Sequence, residues 1–378
     1  MLKPCDHPPG ATSAAGLKIF LSVLLLALLA VAPLHAQEKP DPGASWKFAV
    51  SGDSRNCGDI VMPAIAQGAL HDGAAFYWHL GDYRRMSNID EDYRRIHPDT
   101  TKNDYLADAW PDFIQHQLKP FDDLPIFLTI GNHELEKPKT RTQYVEQFSE
   151  WIDKPLIKRQ RLADIPDDHS VKTYYHWIDR GVDFISMDNA SANMFDGAQM
   201  AWVKMVLANA AKNPSVHTVV VGMHATFPEG LSTGHSMDDT PTQQATGRQV
   251  YAQLVDFRRI TGKRVYVLGS HSHFVLNNVY ETACNAKDAV LPGWIVGSAG
   301  AVRYRLPKDH AVATVAMTDV YGYLLATVAP DGSISFEFRQ VNKPDIPANV
   351  VNDFSRQQVD WCFAENKSNF LPAGPVCR

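Results

Sequence analysis

Basic charge is in short supply in this chain. Lys and Arg number 36 against 42 Asp and Glu, a formal net charge of −6. The electropositive footprint of a nucleic-acid binder is missing, so no nucleic-acid partner is expected. Long apolar runs are nearly absent. The run Ile19 to Val31 falls short of the ~20 residues that a spanning helix needs, so no stable membrane anchor is expected. No cysteine closely follows that run, which argues against a lipid anchor there. Internal repeats and low-complexity blocks are absent too. What remains is an ordinary globular composition, 45% hydrophobic and 21% charged over 378 residues, with ample material for a core.

The apolar run has a meaning of its own. Lys3 and Lys18 precede it, and Pro33-Leu34-His35-Ala36 closes it. That is the layout of a secretory signal peptide cut after Ala36, which predicts an exported protein, periplasmic or secreted. Residues 37–45 read as a leader, 46–345 as the catalytic-type domain and 346–378 as a C-terminal tail. Cys5 would leave with the signal. Cys57, Cys284, Cys362 and Cys377 would then meet oxidising conditions, where pairing is expected. Four cysteines allow three connectivities. Cys362–Cys377 is the favoured pair, because it would tie down a weakly periodic tail. Cys57 could also be a thiolate ligand, but a disulfide or a buried thiol is the stronger reading.

Five strand-like runs each end in Gly followed by polar ligand types. Lys47–Val50 leads to Gly52-Asp53-Ser54-Arg55, Phe76–Leu80 to Gly81-Asp82, and Ile126–Ile130 to Gly131-Asn132-His133-Glu134. Thr218–Val221 leads to Gly222-Met223-His224, and Arg264–Leu268 to Gly269-Ser270-His271-Ser272-His273. One such block alone is weak, since Gly-Asp after a strand is often only a turn. Five in one chain would gather Asp, Asn and His at one sheet edge, and those O and N donors suit Zn, Mn or Fe. His271 and His273, two apart on an extended segment, would share a face.

Helical patterns are predicted at 60–70, 105–118, 143–152, 199–211 and 249–260, between the strand runs. Arg84 to Thr101 reads as an inserted loop over the site, Lys154 to His169 as charged and irregular, and Phe227 to Gly247 as a long binding loop. Short strands follow, with Pro330-Asp331-Gly332 turning a final hairpin. βαβ units first and antiparallel strands later give an α/β domain of two packed sheets with outer helices.

With these motifs the chain resembles the calcineurin-like metallophosphoesterases, which include purple acid phosphatases and protein Ser/Thr phosphatases. The resemblance covers roughly residues 46–341. It implies a four-layer αββα sandwich, two mixed β-sheets flanked by helices, with two metal ions (Fe, Mn or Zn) at the strand ends. Asp82 would bridge them, Asp53 and His273 would hold the first, and Asn132, His224 and His271 the second. His133 would be catalytic, facing the substrate as general acid, since imidazole is the side chain that titrates near neutral pH. The implied partner is a small phosphate ester, attacked in line by a metal-bridging hydroxide, with a monoester expected first and a diester or nucleotide as the alternative. A metal-impaired protein that only binds a phosphate ligand is the second alternative.

The chain departs from that pattern at Arg55. The family places a metal-ligating His there, and a guanidinium has no free acceptor. Arg85 stands where purple-type relatives use Tyr. Arg55 is expected either to grip substrate phosphate or to pair with a carboxylate such as Asp59. Asn132 and His133 join it as substrate-side residues. Tyr83, Arg84 and Arg303 are weaker candidates for substrate contact. Asp188 and Asn189 are read as caps, His79 as packed, and His235 as a solvated loop residue.

Overall fold

In the computed structural model, residues 43–375 apart from Thr233, together with Cys377, are described. The expected signal peptide and most of the leader lie outside these residues. No helix among the described residues is long and apolar enough to cross a membrane.

Two sheets stack face to face. The first holds β1 (Trp46–Ser51), β2 (Ala74–His79), β3 (Ile126–Leu128), and the hairpin strands β11 (Tyr321–Val328) and β12 (Ile334–Val341). Its order is β12-β11-β1-β2-β3. The second holds β4 (Tyr175–Asp179), β5 (Val182–Ser186), β6 (Thr218–Gly222), β7 (Arg264–Gly269), β8 (Val275–Asn277), β9 (Gly293–Val296) and β10 (Ala316–Met317). Its order is β10-β8-β9-β7-β6-β5-β4. Both sheets are mixed. β1, β2 and β3 run parallel with one another, as do β5, β6, β7 and β9, while the outer pairings are antiparallel.

Residue alternation decides which face meets which layer. On β6, Val219 and Val221 pack outward with Val203 and Val206 of α6 (Gly197–Lys212) and with Val250 and Leu254 of α7 (Pro241–Thr261). Val220 points the other way, into the layer between the sheets, with Phe48, Phe76, Trp78, Trp177 and Phe184. Near-continuous Val and Ile runs are what parallel strands covered on both faces require. The sheets come so close at Gly222 that a Cβ there would sit 2.3 Å from the Trp78 ring. The Trp78 indole N–H donates to Thr129 Oγ1 at 2.9 Å, and Thr129 and Ser186 hydroxyls join the two sheets at 2.8 Å.

Outside the first sheet lies α1 (Gly58–His71), whose apolar side meets β11 and β12. The remaining helices are α2 (Glu91–Ile96), α3 (Lys102–Phe113), α4 (Arg141–Ile152), α5 (Pro155–Asp164), α8 (Ala348–Phe354) and α9 (Arg356–Ala364).

Four expectations need correction. The stretch Arg84 to Thr101 contains α2, and the charged stretch after Lys154 contains α5. Both are short and polar, and each leans on one or two buried side chains, Tyr93 and Asp92 in α2 and Ile157 in α5. The loop after Phe227 ends at Thr240, whose hydroxyl caps α7 in a reciprocal box with Gln243. Finally, the cysteines pair as Cys57–Cys362 and Cys284–Cys377, not Cys362–Cys377. Helices α8 and α9 already anchor the tail through buried Val350, Phe354 and Val359, and the first disulfide spans 305 residues to the start of α1.

Candidate metal centre

The five blocks emerge along one edge. Asp53 follows β1, Asp82 follows β2, and Asn132 follows β3. From the facing sheet, His224 follows β6, and His271 and His273 follow β7. Three of the six candidate ligands, Asp53, Asp82 and His271, hold left-handed backbone with φ of 60°, 60° and 64°. Asp and His tolerate that region better than most residues, but each instance still costs on the order of 1–3 kcal/mol, and such strain concentrates at functional sites. Gly81 turns at φ 94° against Gly131, leaving no room for a side chain. Glu134 then ties the two turns together, accepting from the backbone N–H of Asp82 (2.9 Å), Tyr83 (2.8 Å) and Gly131 (2.8 Å).

Tautomers are fixed by backbone carbonyls. His224 Nδ1 donates to Leu80 O at 3.0 Å, and His273 Nδ1 donates to Val302 O at 2.6 Å. Each ring therefore aims the lone pair of Nε2 into the site, the arrangement that orients metal-binding imidazoles. His224 Nε2 lies 3.0 Å from Asn132 Oδ1 and 3.2 Å from Asp82 Oδ1. His273 Nε2 lies 3.2 Å from Asp53 Oδ1. In these tautomers every one of those atoms is an acceptor, and acceptors facing one another at such distances call for a cation between them. Asp53 Oδ1, Asp82 Oδ2 and His271 Nδ1 accept no hydrogen bond among the described residues. Donor atoms of Asp82, His224 and His271 lie within 4.8 Å of one another. The donor set of the second position thus fits a divalent metal ion in number, chemistry and orphaned lone pairs.

Electrostatics point the same way. Burial alone would raise the Asp82 carboxyl, yet His224, His133 and Arg55 hold it well below the usual carboxylate range. Burial lowers His224, but Asp82 and Asp53 outweigh it and raise the imidazole to about 9. The carboxylates favour positive charge at this point, from a proton or from a metal ion. His271 is pushed well below its ordinary value by burial and by His224, which leaves a neutral ring with a free lone pair.

Arg55 lies among the ligands. Its Nη2 donates to His273 Nε2 at 2.8 Å, its Nη1 donates to His133 Nε2, and its Nε is 3.6 Å from Asp82 Oδ2. The expected alternative partner Asp59 belongs instead to Arg84. His133 Nε2 accepts from Arg55, so its own proton is on Nδ1, 3.0 Å from Glu136 Oε2. Its backbone N–H donates to Asp82 Oδ1 at 3.0 Å. A cleft of about 190 Å³ opens beside these groups, lined by Arg55, Arg85, His273, Tyr304 and Ser368 among others.

Three weaker candidates turn inward. Arg84 is fully buried on Asp59, Asp92 and Asp112. The Tyr83 hydroxyl meets Thr129 O and the Tyr144 hydroxyl. Arg303 holds the carbonyls of Asp319, Cys362, Phe363 and Asn366. Asn189 does not cap a helix; it brackets Ala225, the residue after His224, through both amide atoms. His79 is buried, as a packed strand residue should be. Sequence reasoning missed Tyr304, whose ring stacks on His273 at 4.0 Å, and underrated His235, which stacks on His271 at 4.8 Å. Neither follows an apolar strand run, so only the folded chain reveals them.

By sequence, no family model and no curated protein matches the chain. Solved structures do. A purple acid phosphatase from yellow lupin (Lupinus luteus) seeds superposes with a TM-score of 0.52 at 17% identity, over 80% of this chain and 52% of that one. A dimetal phosphatase from Danio rerio gives a TM-score of 0.49 at 11% identity, over 79% of this chain and 97% of that one. The chain therefore spans about half the length of the lupin enzyme it matches. With its two mixed sheets flanked by helices, this chain has the fold of a purple acid phosphatase.

Proposed function

We propose that this protein is an exported, metal-dependent hydrolase of phosphoric esters that acts on small phosphomonoesters. One observation carries the reading: six O- and N-donor side chains from five strand ends converge with their acceptor atoms facing one another. Asp53, Asp82 and His273 would hold one divalent ion, and Asp82, Asn132, His224 and His271 the other. Ions bound there supply a water acidic enough to ionise near neutral pH and offset charge on the phosphoryl oxygens.

The chain's own residues do the rest. Arg55 and Arg85 line the cleft together, and guanidinium forks match phosphate oxygens. Two arginines favour a dianionic monoester over a monoanionic diester. With His133 Nδ1 set against Glu136, Nε2 is the atom that would carry a proton to the departing alcohol, once Arg55 has turned from its lone pair and the ring holds a second proton. The likeness in fold to a phosphatase supports this reaction class.

The test is direct. Protein stripped of metal and reloaded with Mn²⁺, Zn²⁺ or Fe is assayed on p-nitrophenyl phosphate and on its diester. Metal-dependent turnover is expected, faster on the monoester, and reduced more than ~100-fold in Asp82→Asn and His224→Ala. No turnover with any metal would sink the enzyme reading and leave a phosphate-binding protein. Export is checked by the N-terminus of the mature chain, expected at Gln37.

A further inference from the structure

Arg55 and a metal ion at the first position compete for the same atoms. The lone pair of His273 Nε2, aimed by Val302 O, is the one such an ion would take, and Arg55 Nη2 occupies it at 2.8 Å. Asp82 Oδ2, which accepts no hydrogen bond among the described residues, faces Arg55 Nε at 3.6 Å. Asp53 Oδ1 accepts no hydrogen bond and points at the same place. The second position has no such rival: no arginine or lysine hydrogen-bonds or ion-pairs to Asn132, His224 or His271 among the described contacts.

The contrast extends to exposure. The Arg55 side chain is 13% exposed and borders the cleft, so the guanidinium can swing out without breaking into the core. Its partners are acceptors that would lose nothing by exchanging it for a metal ion.

We propose that Arg55 is the resident cation of the first metal position, so that the two positions load unequally and in order. The second position fills first. The first fills only as the guanidinium turns out toward the cleft and surrenders His273 Nε2 and Asp82 Oδ2. The inference rests on the metal-hydrolase reading of the site. It adds that this chain carries a built-in competitor for one of its own ions.

The test is a calorimetric titration of the metal-free full chain with Mn²⁺, with bound metal counted by elemental analysis. Wild type is expected to take one tight equivalent and a second that is about 10- to 100-fold weaker. In Arg55→Gln the second equivalent should tighten by about 10-fold while the first stays put. Arg55→Met serves as a second variant, and the unfolding temperature of each checks that it is folded. Two equally tight equivalents in wild type, or a second equivalent unmoved in both folded variants, would overturn the proposal and leave the hydrolase reading standing. Failure of the wild-type chain to bind any equivalent of Mn²⁺, Zn²⁺ or Fe would overturn both.

Discussion

Arg55 and Arg84 stand a few residues beyond two adjacent parallel strands, and each is ringed by acceptors, yet they are held in opposite ways. Arg84 is sealed. Its guanidinium contacts Asp59, Asp92 and Asp112 and lies 3.7 Å from Asp90, with no exposed surface. Neutral donors complete that network: Tyr105 on Asp90 (2.9 Å), Gln117 on Asp59 (2.9 Å), and the backbone of Asp59 and Tyr93 on Asp92. Arg55 has imidazole nitrogens and one carboxylate within reach, and an open side. A cation surrounded by carboxylates and fixed donors is a structural part. One that shares lone pairs with a metal position is exchangeable.

Stability should separate the two arginines most strongly. Arg84→Met leaves several buried carboxylates without their cation and should cost about 3–5 kcal/mol in denaturant unfolding. Arg55→Met, measured with metal present, should cost clearly less, because a metal ion can take over the acceptors that the guanidinium leaves. If the two variants lost equal stability, the distinction between them would collapse.

The sealed network should also respond, more weakly, to pH. Burial and the neighbouring Asp59 raise Asp92 to about 8, although Arg84 pulls the other way. The unfolded chain releases this proton near pH ~4, whereas the folded chain keeps it until about pH 8. The folded state therefore binds the extra proton across that window, and its contribution to stability, full below the window, is lost as pH rises through it. Wild type should lose stability progressively from about pH 4 to about pH 8, and Asp92→Asn should lose less over the same range. Parallel stability curves for the two proteins would remove Asp92 from the account.

The strand-end residues were legible because each follows a β-branched or aromatic run that ends in Gly, a pattern set by local chain physics. The order of the blocks also carried the two-sheet architecture. Helices α2 and α5 were not legible, because the residues they bury are few and partly charged. Asp92 reads as surface in the sequence, and its burial makes sense only beside Arg84, eight residues earlier, whose other partners Asp59 and Asp112 arrive from α1 and α3. Arg55 could be flagged as an anomaly but not placed, since its partners His133 and His273 lie 78 and 218 residues away. The same distance problem hid the cysteine pairing, as no local pattern connects Cys57 to a helix near the end of the chain.

That pairing sets a clock. Cys57 lies two residues beyond Arg55 and immediately before α1, while its partner is on α9. During synthesis the front of the site is made early and waits, unlatched, for almost the whole polypeptide to follow. The loop that presents Arg55 is clasped only once the last helix has arrived and thiols can oxidise. Clasping of that loop is therefore a late event in the life of the chain.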